Sequence, residues 1–327
     1  MLRELSNRLP EITDDMWQRV LPHHRELVGE FLDVNAQLSP QSRGQYRSAL
    51  RQWFYYVFEK MQNKPLYEIT KRDFLKYMSY LQTRKMSSST LSLKKAAVST
   101  MNNFIENVVC EDDLRYEKFR NFTKNLPQMA RNQVYNKIKI TKEDYLRMMD
   151  VLLADKNYLG AAWLATSFNA GSRRGETIQF KTEILSYPLI EDQSYVLSHL
   201  VRLKGPGVDG KIEPYMVNRD ALKYMQMWVE SRGYEHEDIF TIKRGNNISR
   251  MSLGWANSFC TNTLSPILGR RINPHLFKSS CITYLLESGV DIALVSKFVA
   301  HHSDVSTTIK FYDLRDFAEE KSKIFSM

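Results

Sequence analysis

Four separated stretches of the chain hold side chains that can move protons or grip oxyanions. The first, Asn169-Ala170-Gly171-Ser172-Arg173-Arg174-Gly175-Glu176, ends an apolar helical segment. The second has Lys204 at the base of a turn-rich run containing Gly205, Pro206, Gly207 and Gly210. The third, Pro274-His275-Leu276-Phe277-Lys278, leads into an apolar helix with Ile282, Leu285 and Leu286 that stops at Gly289. The fourth runs from Ala300-His301-His302 through Val305-Ser306-Thr307-Thr308 to Phe311-Tyr312. Attack on a phosphodiester needs a nucleophile, cations against the non-bridging oxygens and a proton for the departing oxygen. A phenol, several cations and several imidazoles supply all three kinds. Singly, each has a plainer reading. Tyr312 beside Phe311 could be one core aromatic among 17 tyrosines, His302 a helix-end residue bonded to carbonyls, and Arg174 a surface charge.

The elements that must position these residues can be read from periodicity. Ser39-Pro40 places a capping residue before a proline suited to the first helical turn. Tyr46, Leu50, Trp53, Phe54, Val57 and Phe58 then repeat at helical spacing. Thr70-Lys71-Arg72-Asp73 opens a second helix carrying Phe74, Tyr77, Met78 and Leu81, and Ser87-Ser88-Ser89 a third carrying Leu93, Ala97, Met101, Phe104 and Ile105. Lys94 and Lys95 are expected to face away from that stripe. Residues 123–140 are polar, basic and interrupted by proline, as a linker would be, and Thr141 caps a further helix. Strand-like stretches at 195–197, 199–203 and 215–217 flank a hairpin tip at 204–210, and helices resume from Asp220 to the end.

Net charge is +9 with a pI near 9.3, and the excess is uneven. Residues 40–139 hold 19 Lys or Arg against 8 Asp or Glu, the balance of a surface drawn to phosphates. Cys110, Cys260 and Cys281 are isolated and have no metal-ligand spacing, so buried thiols in a reducing compartment are expected, with no metal. No glycine pattern suited to a nucleotide phosphate occurs, so no nucleotide cofactor is expected. No run of eighteen apolar residues and no basic-then-apolar leader is present, so the expectation is a cytoplasmic, DNA-associated protein without a membrane segment, nuclear in a eukaryotic host.

The ordered set of four stretches resembles the tyrosine recombinases, the phage-integrase-like enzymes. Gly171-Ser172-Arg173-x-x-Glu176 is similar to their G-x-R-x-x-E turn, and Lys204 to their hairpin lysine. His275-Leu276-Phe277-Lys278 is similar to H-x-x-R except at its last position. Ala300-His301-His302 aligns His302 with the family histidine and puts His301 where glycine is usual, and Tyr312 follows within the family's interval. The resemblance spans about residues 40–315.

It implies a mainly α fold with a small β-sheet: a helical core-binding domain at 40–124 and a mixed α/β catalytic domain at 140–315, clamping duplex DNA between them. An N-terminal extension at 1–39, a linker at 125–139 and a tail at 316–327, available for protomer contact, complete the division. It further implies a site-specific DNA recombinase in which Tyr312 attacks the scissile phosphate, leaving a 3′-phosphotyrosyl link and a free 5′-hydroxyl. Arg173 would grip the phosphate, Lys204 protonate the leaving oxygen, His302 donate to the phosphate, His275 assist Tyr312 and Glu176 orient Arg173 or a histidine. Lys278, in place of the family arginine, keeps the charge but not the planar fork; it is expected still to contact the phosphate, with arginine restoring or improving cleavage. His301 competes with His302 for the phosphate, although the spacing to Thr307-Thr308 favours His302. Lys211 and Arg202 compete with Lys204. Arg43, Arg47, Lys94, Lys95, Lys137 and Lys139 are the expected DNA-backbone contacts. Partners would be double-stranded DNA with a specific site and, in the synaptic complex, a homotetramer. A type IB topoisomerase-like enzyme or a catalytically silent DNA-binding regulator on the same fold are the alternatives.

Overall fold

A computed structural model describes residues 9–35, 38–126, 138–190, 194–205 and 210–315. The described residues fall into two compact units, the first running to residue 126 and the second from residue 138.

The first unit is helical, and polar side chains at the helix starts explain where its helices begin. Thr13 caps α1 (Asp14–Gln18), Ser39 caps α3 (Pro40–Met61) and Ser87 caps α5 (Ser88–Phe104); α2 (Pro22–Val34) opens on proline instead. The start of α4 (Lys71–Thr83) is a reciprocal capping box between Thr70 and Asp73. The apolar stripe of α3 sits at the centre: Leu50, Trp53, Phe54 and Val57 are fully buried, and Trp53 lies edge-on to Phe74 at 5.3 Å. Val20, Leu27, Val28, Phe31 and Leu32 belong to the same core. The helical unit thus takes in residues ahead of position 40, because α2 has its own apolar stripe that α3 and α5 cover. Of the expected linker, residues 127–137 lie outside the described residues, as does the expected tail at 316–327.

The second unit is built round α7 (Tyr158–Asn169), whose residues from Gly160 to Phe168 are all buried. A helix apolar on every side must be enclosed, and α6 (Lys142–Ala154), α8 (Arg219–Ser231) and α9 (Pro274–Glu287) pack against it. Four short strands form one interrupted antiparallel ladder: β1 (Tyr195–Leu197) pairs with β4 (Met216–Asn218), and β2 (Val201–Leu203) with β3 (Lys211–Glu213). At the interruption Ser198 N donates to Tyr215 O at 2.9 Å, and Tyr215 N to Ser198 Oγ at 2.9 Å. Gly210 closes the tip at φ +66°, and a Cβ there would meet Leu203 O at 2.5 Å. Residues 206–209 lie outside the described residues. One expectation fails: the chain after Asp220 is not wholly helical. β5 (Thr241–Arg244) and β6 (Asn247–Arg250) form a hairpin through Gly245-Asn246. The last helix, α10 (Val305–Phe311), ends at Tyr312. Among the described residues no helix is long and apolar enough to cross a membrane.

Candidate active site

Arg173 caps a one-turn helix, Arg174–Thr177, that follows α7. The turn before it requires glycine: Gly171 has φ +60°, and a Cβ there would sit 3.2 Å from Cys281 Sγ. Glu176 reaches back to this cap. Its carboxylate accepts from Arg173 N at 2.8 Å, from Arg173 Nη1 at 2.9 Å and from the Tyr215 hydroxyl. Burial works to raise the Glu176 carboxyl, but the charges of Lys278 and Arg173 and the Tyr215 hydroxyl outweigh it and hold the carboxyl low. With one side committed to Glu176, the guanidinium turns its other nitrogen to the far end of the chain. Arg173 Nη2 donates to the Tyr312 hydroxyl at 3.4 Å.

Tyr312 caps the C-terminus of α10 and is only 7% exposed. Its ring packs with Ile282, Leu286, Val295 and Ala300, while its backbone oxygen accepts from Thr283 Oγ1 at 3.0 Å. The His302 and His275 rings lie 4.5 and 5.5 Å from it, centroid to centroid. His302 Nδ1 is bonded to Thr308 Oγ1 at 2.8 Å, and Thr308 in turn donates to Ser296 Oγ at 2.9 Å. Among the described residues Nε2 has no partner. Burial, then the charges of Lys278 and Arg173, push the His302 pKa down to about 4.

The adjacent histidines point to different places. His301 turns away from Tyr312 and bonds through Nδ1 to Glu213 Oε2 at 2.6 Å, its ring edge-on to Tyr215 at 4.5 Å. Its φ is +54°, the left-handed conformation for which glycine is the usual choice. Lys204 is exposed where β2 ends, and its charge, after burial and those of Arg173 and Lys278, helps depress the pKa of His275.

Two expected site residues are placed differently. Lys278 was expected to contact a phosphate, but its side chain is 0% exposed and its ammonium donates to Gly171 O at 2.8 Å and Val299 O at 3.3 Å. It ties the Arg173 turn to the segment before His301 from behind, because its position on α9 faces inward with Phe277, Cys281 and Ile282. Burial pushes its pKa down to about 7. Lys94 was expected on an outer face but is 5% exposed, its stem enclosed and its ammonium bonded to Gln52 of α3; α5 touches α2, α3 and α4, so its solvent face is narrow. Arg43 is paired with Asp33 at 2.5 Å and Lys139 with Glu287, Arg47 is exposed and Lys95 half-buried. Lys137 lies outside the described residues. Sequence reasoning passed over Glu213, Tyr215 and Ser296, while Thr308, used there only for its spacing, is the residue that His302 Nδ1 meets. Glu213 alone left a signal, an acidic residue facing the lysine hairpin across one turn.

The family model for the phage integrase family matches residues 138–318, and the one for the phage integrase N-terminal SAM-like domain matches residues 25–112. The chain belongs to the phage integrase family. It is 58% identical to the SPbeta prophage-derived recombinase-like protein YomM of Bacillus subtilis (strain 168), over 99% of this chain and 97% of that one. It is 25% identical to tyrosine recombinase XerA of Pyrococcus horikoshii, over 81% of this chain and 82% of that one. Its fold is shared with the Tn1549 transposon integrase in complex with transposon right-end DNA (TM-score 0.68, 12% identity, 93% of this chain and 99% of that one). It is shared as well with XerH recombinase bound to difH substrate (TM-score 0.67, 16% identity, 87% and 80%). This integrase fold is mainly α with small sheets, as the periodicity and the resemblance together lead one to expect.

Proposed function

We propose that this chain is a site-specific DNA recombinase that cuts and rejoins strands through a 3′-phosphotyrosyl link at Tyr312. The observation that carries the reading is the 3.4 Å approach of Arg173 to the Tyr312 hydroxyl, between residues 139 apart in sequence, with His302 against the same ring. The phenol oxygen forms the new bond to phosphorus as the bond to the 5′ oxygen breaks. Arg173, already oriented by Glu176, neutralises the non-bridging oxygens. Lys204 gives its proton to the 5′ oxygen, and His275 takes the phenol proton. A phosphate beside His302 adds a negative charge that raises the lowered pKa of its ring and lets it donate. Phosphoester energy is kept in the link, so no nucleotide is consumed. Lys278 acts from behind this set.

Duplex DNA is the substrate, in line with the DNA-bound state of the Tn1549 and XerH structures. In this reading four protomers bring two sites together, the tail at 316–327 makes a protomer contact, and the enzyme works in the DNA-associated cytoplasm. The helical unit supplies backbone contacts through Arg47 and Lys95, and residues 140–315 carry the chemistry. The test incubates the full chain with a pool of random-sequence nicked duplexes, recovers denaturant-stable adducts, sequences the DNA and maps the modified residue. The expected result is a single enriched motif attached at Tyr312, with no adduct from Tyr312→Phe. Adducts formed equally by Tyr312→Phe would reject the assignment.

A further inference from the structure

Glu213 lies on β3, where register pairs it with Val201 of β2, three residues before Lys204. Its carboxylate has two cationic or donor neighbours. Lys211 Nζ approaches Oε1 at 2.5 Å and His301 Nδ1 approaches Oε2 at 2.6 Å. The Lys211 contact joins residues of one strand at a 40% exposed side chain, where an ion pair contributes little. The His301 contact joins the hairpin to the loop that carries His302; the His301 side chain is 3% exposed and that of Glu213 30%. The His301 ring is wedged edge-on against Tyr215, whose hydroxyl is held by Glu176. Among the described residues His301 Nε2 has no partner, and Nδ1 faces the carboxylate. Burial lowers the pKa of the ring, and Glu213 opposes the effect only in part. A left-handed backbone at a non-glycine residue is held by its surroundings, and here Glu213 and Tyr215 are those surroundings.

We propose that Glu213 is a positioning residue: through His301 it fastens the β2–β3 ladder to the loop bearing His302 and so sets where Lys204 stands relative to the leaving 5′ oxygen. The inference rests on the reading of Lys204 as the proton donor. Lys204 is otherwise at the exposed end of a two-stranded ladder, an arrangement with little stiffness of its own. The latch is on the opposite strand, so it fixes the ladder without occupying the site.

The experiment measures covalent adduct formation by the full chain on nicked duplexes of the motif recovered above, in two chemical forms. One has the natural bridging 5′ oxygen. The other has sulfur there, so that the phosphorus–sulfur bond breaks to release a thiolate that needs no proton. Lys204→Ala is expected to lose about a hundredfold on the oxygen form and little on the sulfur form. Glu213→Gln, which keeps the shape and removes the charge, is expected to lose roughly tenfold or more on the oxygen form, within the range a misplaced general acid explains. It should lose less than about threefold on the sulfur form if its defect is confined to protonation, and DNA affinity should be unchanged. Glu213→Asp should recover part of the loss, and it serves as the working variant if Glu213→Gln melts at the assay temperature. Equal losses on both forms, or no loss on either, overturn the latch. If Lys204→Ala is itself not rescued by sulfur, the reading of Lys204 fails and the latch with it; rescue of Lys204→Ala without rescue of Glu213→Gln removes the latch alone.

Discussion

Single residues show how much chemistry depends on the side a position faces. Lys278 keeps a cation where the resemblance expects arginine, yet α9 turns it inward, where its ammonium satisfies two carbonyls. Lys278→Met fits the space but orphans both, and should lower unfolding stability by about 2 kcal/mol in urea titrations. Depressed to about 7, the buried lysine binds fewer protons than the unfolded chain between there and 10.5, so its contribution grows with pH across that window and Lys278→Met should flatten the rise. His24 has the same sign at lower pH. Burial against Phe54, with His23 beside it, pushes its pKa from 6.5 to about 4. Its contribution is therefore whole above 6.5 and lost as pH falls through that range, on the order of 3 kcal/mol. His24→Leu should remove this slope; His302 has the same window, so the comparison is variant against parent. In the sequence, Arg173, His302 and Tyr312 stand out through the motifs around them and the order of those motifs, which the family resemblance picks out. The direction of Lys278 does not, since a lysine in an apolar helix reads as a charge before it reads as a buried donor, although Cys281 and Ile282 at three and four residues on mark the inward face.

Among the elements, capped helices were the easiest to read. Ser39, Thr70, Ser87 and Thr141 each cap where the sequence places them. The β5–β6 hairpin was hidden because its strands are mostly exposed and end in Lys243-Arg244 and Ser249-Arg250, leaving no alternation to detect; Gly245-Asn246, the one turn-like pair between them, was not read as a turn. The lysine ladder was visible from its glycines, but its attachment to the His301 loop joins residues 88 apart and has no local trace. Gly210 bears on this ladder directly. Gly210→Ala places a Cβ against Leu203 O at a left-handed residue, whose backbone strain alone is about 1–2 kcal/mol. Adduct formation should fall severalfold while duplex binding measured by fluorescence anisotropy stays the same.

Over the whole molecule, each of the two units has its own apolar core. The helical unit is held by an aromatic core to which residues before position 40 contribute five buried aliphatic or aromatic side chains: Val20, Leu27, Val28, Phe31 and Leu32. A chain beginning at residue 40 should therefore lose the cooperative melting of this unit, read by circular dichroism, rather than shed a dispensable extension. The uneven charge was plain from composition, but which cations are open was not, since Lys94 is enclosed and Arg43 and Lys139 are paired. Arg47→Ala and Lys95→Ala should each reduce the slope of log affinity against log salt by about 1, uniformly over DNA sequences. Lys94→Met should leave that slope unchanged.

The enclosure of Tyr312 has a wider consequence. With 7% of the residue exposed against 42% for Tyr284, a reagent diffusing through solvent has little access to this ring, so Tyr312 should be iodinated more slowly than Tyr284 in the folded protein, an order that mass spectrometry reads.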